Sequence, residues 1–189
     1  MGKGSLIVYC GPMFGSKTTR LLSAVDRYTY QNKSIIAFKP RIDNRYDLNE
    51  ITTHSGLKYP AVCINNALEM KDIIGENKVD VVAMDEMFMV EGSAEYLLEL
   101  WGNGMDIVIS TLDLSARVEP FEEVQKILPY ATHIEKCPAV CVICQQDAFY
   151  TEKHKPGGEN IEVGVLTYIV LGVGNTIVIL TLEELNGGC

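Results

Sequence analysis

The sequence has no surplus of positive charge, no internal repeat and no low-complexity tract. Its 16 Lys and Arg against 25 Asp and Glu give a net charge of −9, with a pI near 4.8. That balance argues against broad binding to a nucleic-acid backbone or an anionic membrane, and leaves room for a small anion held in one local pocket. No signal peptide is expected, because Met1-Gly2-Lys3 leads at once into an apolar strand-like run. The six cysteines (10, 63, 137, 141, 144 and 189) are scattered, a pattern of cytosolic thiols or a metal site and not of a disulfide scaffold. With 189 residues, 47% of them hydrophobic, the chain can bury one good core and carry a small appendage.

The most informative stretch is Ser5 to Leu22, SLIVYCGPMFGSKTTRLL. An apolar run with β-branched Ile7 and Val8, a Gly/Pro turn, and then Lys17-Thr18 opening a run with Leu21, Leu22 and Val25 predicts strand, loop, helix. That is the setting of a P-loop, in which backbone N–H groups wrap a polyphosphate, the lysine reaches the β- and γ-phosphates, and the Thr18 hydroxyl is available to Mg²⁺. The pattern GxxxxGK[ST] places glycine directly before lysine, whereas here Gly15 and Ser16 stand in the opposite order. Ser16 must then adopt a backbone conformation that glycine takes more cheaply, at a cost of about 1 kcal/mol.

Farther along, residues 17–31 predict a first helix and Ser34 to Lys39 a second strand ended by Pro40. The polar loop after it holds Asp43 and Arg45, either a solvated pair or groups that position metal-bound water and neutralise anions. A helix is expected over Asn66–Ile74, capped by Asn65 or Asn66. The run Val79-Asp-Val-Val-Ala-Met-Asp85-Glu86 has the Walker B form: a buried strand delivers Asp85 to the magnesium shell opposite Thr18. Strand alternation points Glu86 the other way, where it can take a proton from a substrate hydroxyl. Ser93–Trp101 and Phe121–Leu128 predict helices, and Asp106–Leu112 another strand. Alternating strands and helices give an α/β fold, a mostly parallel sheet with helices on both faces and ligand at the carboxyl ends of the strands. Cys141-Val-Ile-Cys144 is a CxxC knuckle able to give two thiolates to one zinc, and the remaining candidates, Cys137, His133, His154 and Cys189, form no second close pair.

These residues together resemble the cytosolic-type (type II) thymidine kinases. The resemblance runs from about Ser5 to Gly164 and is carried by Gly11-Pro-Met-Phe14, Lys39 with Asp43-x-Arg45-Tyr46, Thr53-His54-Ser55-Gly56, Asp85-Glu86, Leu112-Asp113 followed by Arg117-x-Glu119-Pro120-Phe121, Cys141-x-x-Cys144 and Tyr150-Thr151. It implies a RecA-like P-loop core over residues 1–136, a small zinc-ribbon and lasso segment over 137–164, and a homotetramer in the cytoplasm. The implied partners are thymidine and ATP with Mg²⁺ and Zn²⁺, and neither nucleic acid nor membrane. In that reading Glu86 is the general base. ATP and its phosphates are held by Gly11, Pro12, Met13, Phe14, Gly15, Ser16, Lys17, Thr18, Asp43, Asn44, Arg45, Asp85, Glu86, Met87 and Phe88. Thymidine is held by Met13, Met89, Leu112, Ala116 and the lasso residues Asn160, Ile161, Glu162, Val163 and Gly164. Magnesium falls to Thr18 and Asp85, and zinc to Cys141 and Cys144.

The chain departs from the family in three places. Met87-Phe88-Met89 replaces a pattern with a glutamine and an aromatic. Ala116 replaces a pocket aromatic before Arg117, and Val118 a glycine after it. The tail from Val165 to Cys189 is apolar where the family completes its zinc site. Read one base early, the codons of Gly172 to Thr176 can spell Cys-Arg-Lys-His at the family spacing, so we read the tail as the product of a frameshift near Gly164. Alternatives are an added strand pair and a tail anchor. For function, the alternatives are a P-loop phosphotransferase or ATPase with another acceptor, and an inactive nucleotide-binding homologue.

Overall fold

A computed structural model describes residues 4–43, 49–75, 77–141, 144–153 and 169–172. Its centre is a sheet of six parallel strands in the order β5-β2-β6-β7-β1-β8, formed by β1 (Leu6–Cys10), β2 (Ile35–Pro40), β5 (Val62–Ile64), β6 (Val81–Met84), β7 (Asp106–Thr111) and β8 (His133–Lys136). The middle strands are the most apolar because both faces are covered: all four residues of β6 are buried, as are Ile107 to Thr111 in β7. One face carries α1 (Lys17–Tyr30), which presses Leu21, Leu22, Ala24 and Val25 onto Val81, Ala83 and Val108. The other carries α2 (Ala67–Gly75), α3 (Ser93–Gly102) and α4 (Glu122–Ile127), packed over Leu6, Val8, Val82, Ile107 and Ile109.

Side chains at the helix ends secure these layers. The Asn66 carboxamide oxygen accepts the Leu68 and Glu69 N–H groups at 3.0 and 3.2 Å, capping α2. Glu123 on α4 accepts the Ala94 N–H at 2.8 Å, so one helix satisfies the open amino terminus of its neighbour. At the other end of the sheet, Asp106 accepts the Ser5 N–H and hydroxyl, each at 2.7 Å, and pairs with Lys33. This joins the starts of β1 and β7 to the turn after α1.

Smaller strands lie outside the main sheet: the hairpin β3 (Glu50–Thr52) and β4 (Lys58–Pro60), the pair β9 (Ala139–Val140) and β10 (Asp147–Ala148), and β11 (Tyr150–Lys153) with β12 (Ile169–Gly172). From the apolar tail only β12 is described, and it pairs with β11. Among the described residues no helix is long and apolar enough to cross a membrane.

Candidate functional site

Every strand of the central sheet runs in the same direction, so the loops after β1, β2, β6 and β7 converge on one end. The loop after β1 is built by close approach. A Cβ on Gly11 would lie 2.4 Å from the Cys137 carbonyl oxygen and one on Gly15 would lie 2.5 Å from it, so the chain leaving β8 seats itself against the loop backbone where both glycines stand. Phe14 (φ 62°) and Ser16 (φ 56°) are left-handed. Successive backbone N–H groups in such alternating conformations form an anion-binding concavity, here at the amino end of α1. Ser16 thus does bear the conformation expected of it.

Lys17 is buried, with its Nζ donating to the Pro12 carbonyl at 2.6 Å across the loop. Burial lowers its pKa, opposed by the charges of Glu86 and Asp85. The next residue, Thr18, donates to the Asp85 carboxylate at 3.2 and 3.4 Å. Asp85 is buried just beyond the end of β6 and also accepts from the Ser110 hydroxyl. Burial and the adjacent Glu86 charge push the Asp85 carboxyl up to about 7, with Asp43 adding to the rise and the Ser110 and Thr18 hydroxyls opposing it. The Thr18 hydroxyl and the Asp85 carboxylate are hard oxygen donors of the kind that could hold Mg²⁺.

Glu86 reaches this site by a different route from the one expected. The chain leaves β6 at Met84, and Glu86 is left-handed (φ 49°) ahead of a short 3₁₀ turn over Met87–Met89. Backbone reversal, not strand alternation, sets its direction, and its charge is felt at both Lys17 and Asp85. Asp43, three residues beyond the end of β2, is buried and not solvated. Met87 and Phe88 turn their side chains into the core, Phe88 against the Phe121 ring at 4.4 Å. Only their backbone is available to a nucleotide.

The expected acceptor side is partly described. Met13 and Met89 are half-buried, as are Leu112 and Ala116 beyond the end of β7. The Met13 N–H donates to the Thr151 hydroxyl at 3.1 Å, joining the phosphate loop to β11. Val118 is exposed and left-handed (φ 62°) in the turn that Ser115 holds by accepting the Arg117 and Glu119 N–H groups. Asn44, Arg45 and residues 160–164 lie outside the described residues. So do His154 and Cys189.

Cys141 is buried and Cys144 exposed, with Gln145 N–H closing the knuckle onto the Cys141 carbonyl at 2.9 Å. His133 stands at the far end of β8 beside Ile7, and Cys137 packs beside the phosphate loop. Among the described residues no three His, Cys, Asp or Glu side chains gather as metal ligands.

The sequence reading missed Ser110 and Thr111. Their signal was two hydroxyls ending an otherwise apolar, β-branched strand at the same end of the sheet as the phosphate loop.

The chain is similar to known proteins over most of its length. The family described as thymidine kinase matches residues 4–170. A thymidine kinase of Mesoplasma florum is 35% identical over 158 residues, which is 81% of this chain and 77% of that protein. A thymidine kinase of Pyrobaculum aerophilum is 36% identical over 151 residues, 78% of this chain and 81% of that one. A phosphate loop, a buried aspartate opposite its threonine and a match over most of the length have one reading: the chain belongs to the thymidine kinase family.

Proposed function

We propose that the protein transfers the γ-phosphate of ATP to the 5′-hydroxyl of thymidine, giving ADP and thymidine 5′-phosphate for DNA precursor salvage. The observation that carries this reading is the meeting of Lys17, Thr18 and Asp85 at one end of the sheet, with Thr18 3.2 Å from the Asp85 carboxylate. On binding, the triphosphate displaces the Pro12 carbonyl from Lys17, which turns its charge to the β- and γ-phosphates. Glu86 accepts the proton of the 5′-hydroxyl as that oxygen bonds to the γ-phosphorus and the bond to the β-phosphate oxygen breaks. Asp85 and Thr18 are the residues that would hold Mg²⁺, and a cation there would supply neutralisation of the phosphate charge. Lys17, with Arg45, steadies the transferring group. Little else is needed, since phosphoryl transfer is chiefly positioning and charge neutralisation.

The same reading gives Met13, Met89, Leu112 and Ala116 to the thymine base, with residues 160–164 as a lasso closing over it. It assigns residues 1–136 to a RecA-like core and 137–164 to a zinc-ribbon and lasso segment in which Cys141 and Cys144 are two of the zinc ligands. It makes the protein a cytoplasmic homotetramer. A second reading, an inactive nucleotide-binding homologue, is favoured by the left-handed backbone at Ser16 and Val118, where glycine is cheaper. A nucleoside panel with ATP and Mg²⁺ separates the possibilities. Phosphorylation of thymidine ahead of deoxycytidine and the purine deoxynucleosides supports the proposal. Turnover of another acceptor in preference contradicts it, and ATP-induced thermal stabilisation without turnover favours the inactive reading.

A further inference from the structure

Ser110 and Thr111 end β7 and leave it on opposite faces, as neighbours in a strand must. Val108, two residues before Ser110, packs on the α1 side, while Ile107 and Ile109 face the other layer. Ser110 therefore reaches the α1 side, where its hydroxyl donates to Asp85 Oδ1. Thr111 reaches the other side, where its hydroxyl oxygen accepts the Phe88 N–H at 3.3 Å. Both residues are essentially without solvent exposure, at 1% and 0%. Two adjacent hydroxyls from one strand end thus hold the chain before and after Glu86, one by its carboxylate neighbour and the other by the turn that follows.

Resting on the kinase reading above, we propose that Ser110 is a positioning residue for the magnesium site: its hydroxyl fixes the Asp85 carboxylate in the orientation that faces Thr18. A carboxylate on a short side chain can rotate. Thr18 lies at nearly equal distances from the two Asp85 oxygens, 3.2 and 3.4 Å, and so does little to choose between them. Ser110 bonds Oδ1 alone and breaks that near-symmetry. A cation bound there would meet a ligand whose orientation the fold has already supplied.

The test is the Mg²⁺ concentration at which ATP gives half of its full thermal stabilisation, measured on the whole chain for wild type, Ser110→Ala and Ser110→Cys. Cysteine nearly keeps the serine shape while donating poorly, so it guards against a packing defect in the alanine variant. Both variants are expected to need about tenfold more Mg²⁺, while the stabilisation by ATP in excess EDTA stays as in wild type. A Mg²⁺ requirement within about twofold of wild type in either folded variant overturns the inference and leaves the kinase reading intact. An equal loss of stabilisation with and without Mg²⁺ also overturns it, because it marks a general defect of the nucleotide site. A wild-type chain that gains no stability from ATP and Mg²⁺ overturns the kinase reading, and the inference with it.

Discussion

The carbonyl oxygen of Cys137 lies where a side chain on Gly15 would begin, 2.5 Å from the position a Cβ would take. The order Gly15-Ser16 in the phosphate loop follows from two different demands on neighbouring residues. Position 15 needs the space that only glycine leaves, and position 16 needs a left-handed backbone, here φ 56°, which serine supplies at a cost. Gly15→Ala is therefore expected to displace the loop from Cys137 and weaken ATP binding, whereas Ser16→Gly keeps it. ATP titrations of the two variants check this. Equal affinities would show that the close approach is not a constraint.

Strain at left-handed positions should be recoverable. Ser16→Gly is expected to raise stability by about 1 kcal/mol, and Val118→Gly by roughly 1–2 kcal/mol because a β-branched residue is worse placed there. In a chain of this size 1 kcal/mol corresponds to roughly 2–4 °C in Tm. Thermal unfolding of both variants measures it, and an unchanged or lower Tm for Val118→Gly contradicts the strain at that turn.

Asp106 should make stability depend on pH. Burial alone would raise its carboxyl, but Lys33 and the Ser5 N–H and hydroxyl outweigh burial and hold it below the ordinary 3.8. An acid depressed by folding contributes stability that is present above its unfolded pKa and lost as pH falls through the folded one. Asp106→Asn is expected to lower Tm at pH 7 by roughly 4–8 °C, with the gap closing below the ordinary carboxylate range. A gap that persists unchanged at low pH assigns the loss to packing.

Zinc content tests the reading of the tail. A chain with the frame restored from about residue 164 is expected to hold about one zinc, and the present chain much less, since its described residues offer only Cys141 and Cys144. Metal analysis after exhaustive dialysis reads this directly. Full zinc occupancy in the present chain contradicts the reading. So does a restored chain that gains none.

Much of the fold was legible because the elements that position the site are long or strongly patterned. α1 has Leu21, Leu22 and Val25 on one face, and β6 and β7 are β-branched and buried throughout their middles. The hairpin β3–β4 and the edge strand β8 carried no such signal. The hairpin strands have three residues each, and β8 is mostly exposed, with Ile134 itself half open to solvent. The meeting of Thr18 with Asp85 was expected from the P-loop and Walker B patterns. The direction expected for Glu86 rested on strand alternation, whereas a left-handed residue after a strand end leaves no trace in periodicity. Ser110 was missed because a buried hydroxyl looks like any other serine until its acceptor is known.

In the proposed reaction Glu86 removes the proton from thymidine while Lys17 and Asp85 manage the phosphates. The most direct measurement is the steady-state rate of thymidine-dependent ADP formation by wild type and Glu86→Gln, each with its ATP-induced thermal shift. Turnover by wild type is expected, with a loss in kcat of about 10²–10⁴-fold in Glu86→Gln and the ATP shift retained. Wild-type kcat in Glu86→Gln, or no thymidine turnover by a wild-type chain that binds ATP, would contradict it.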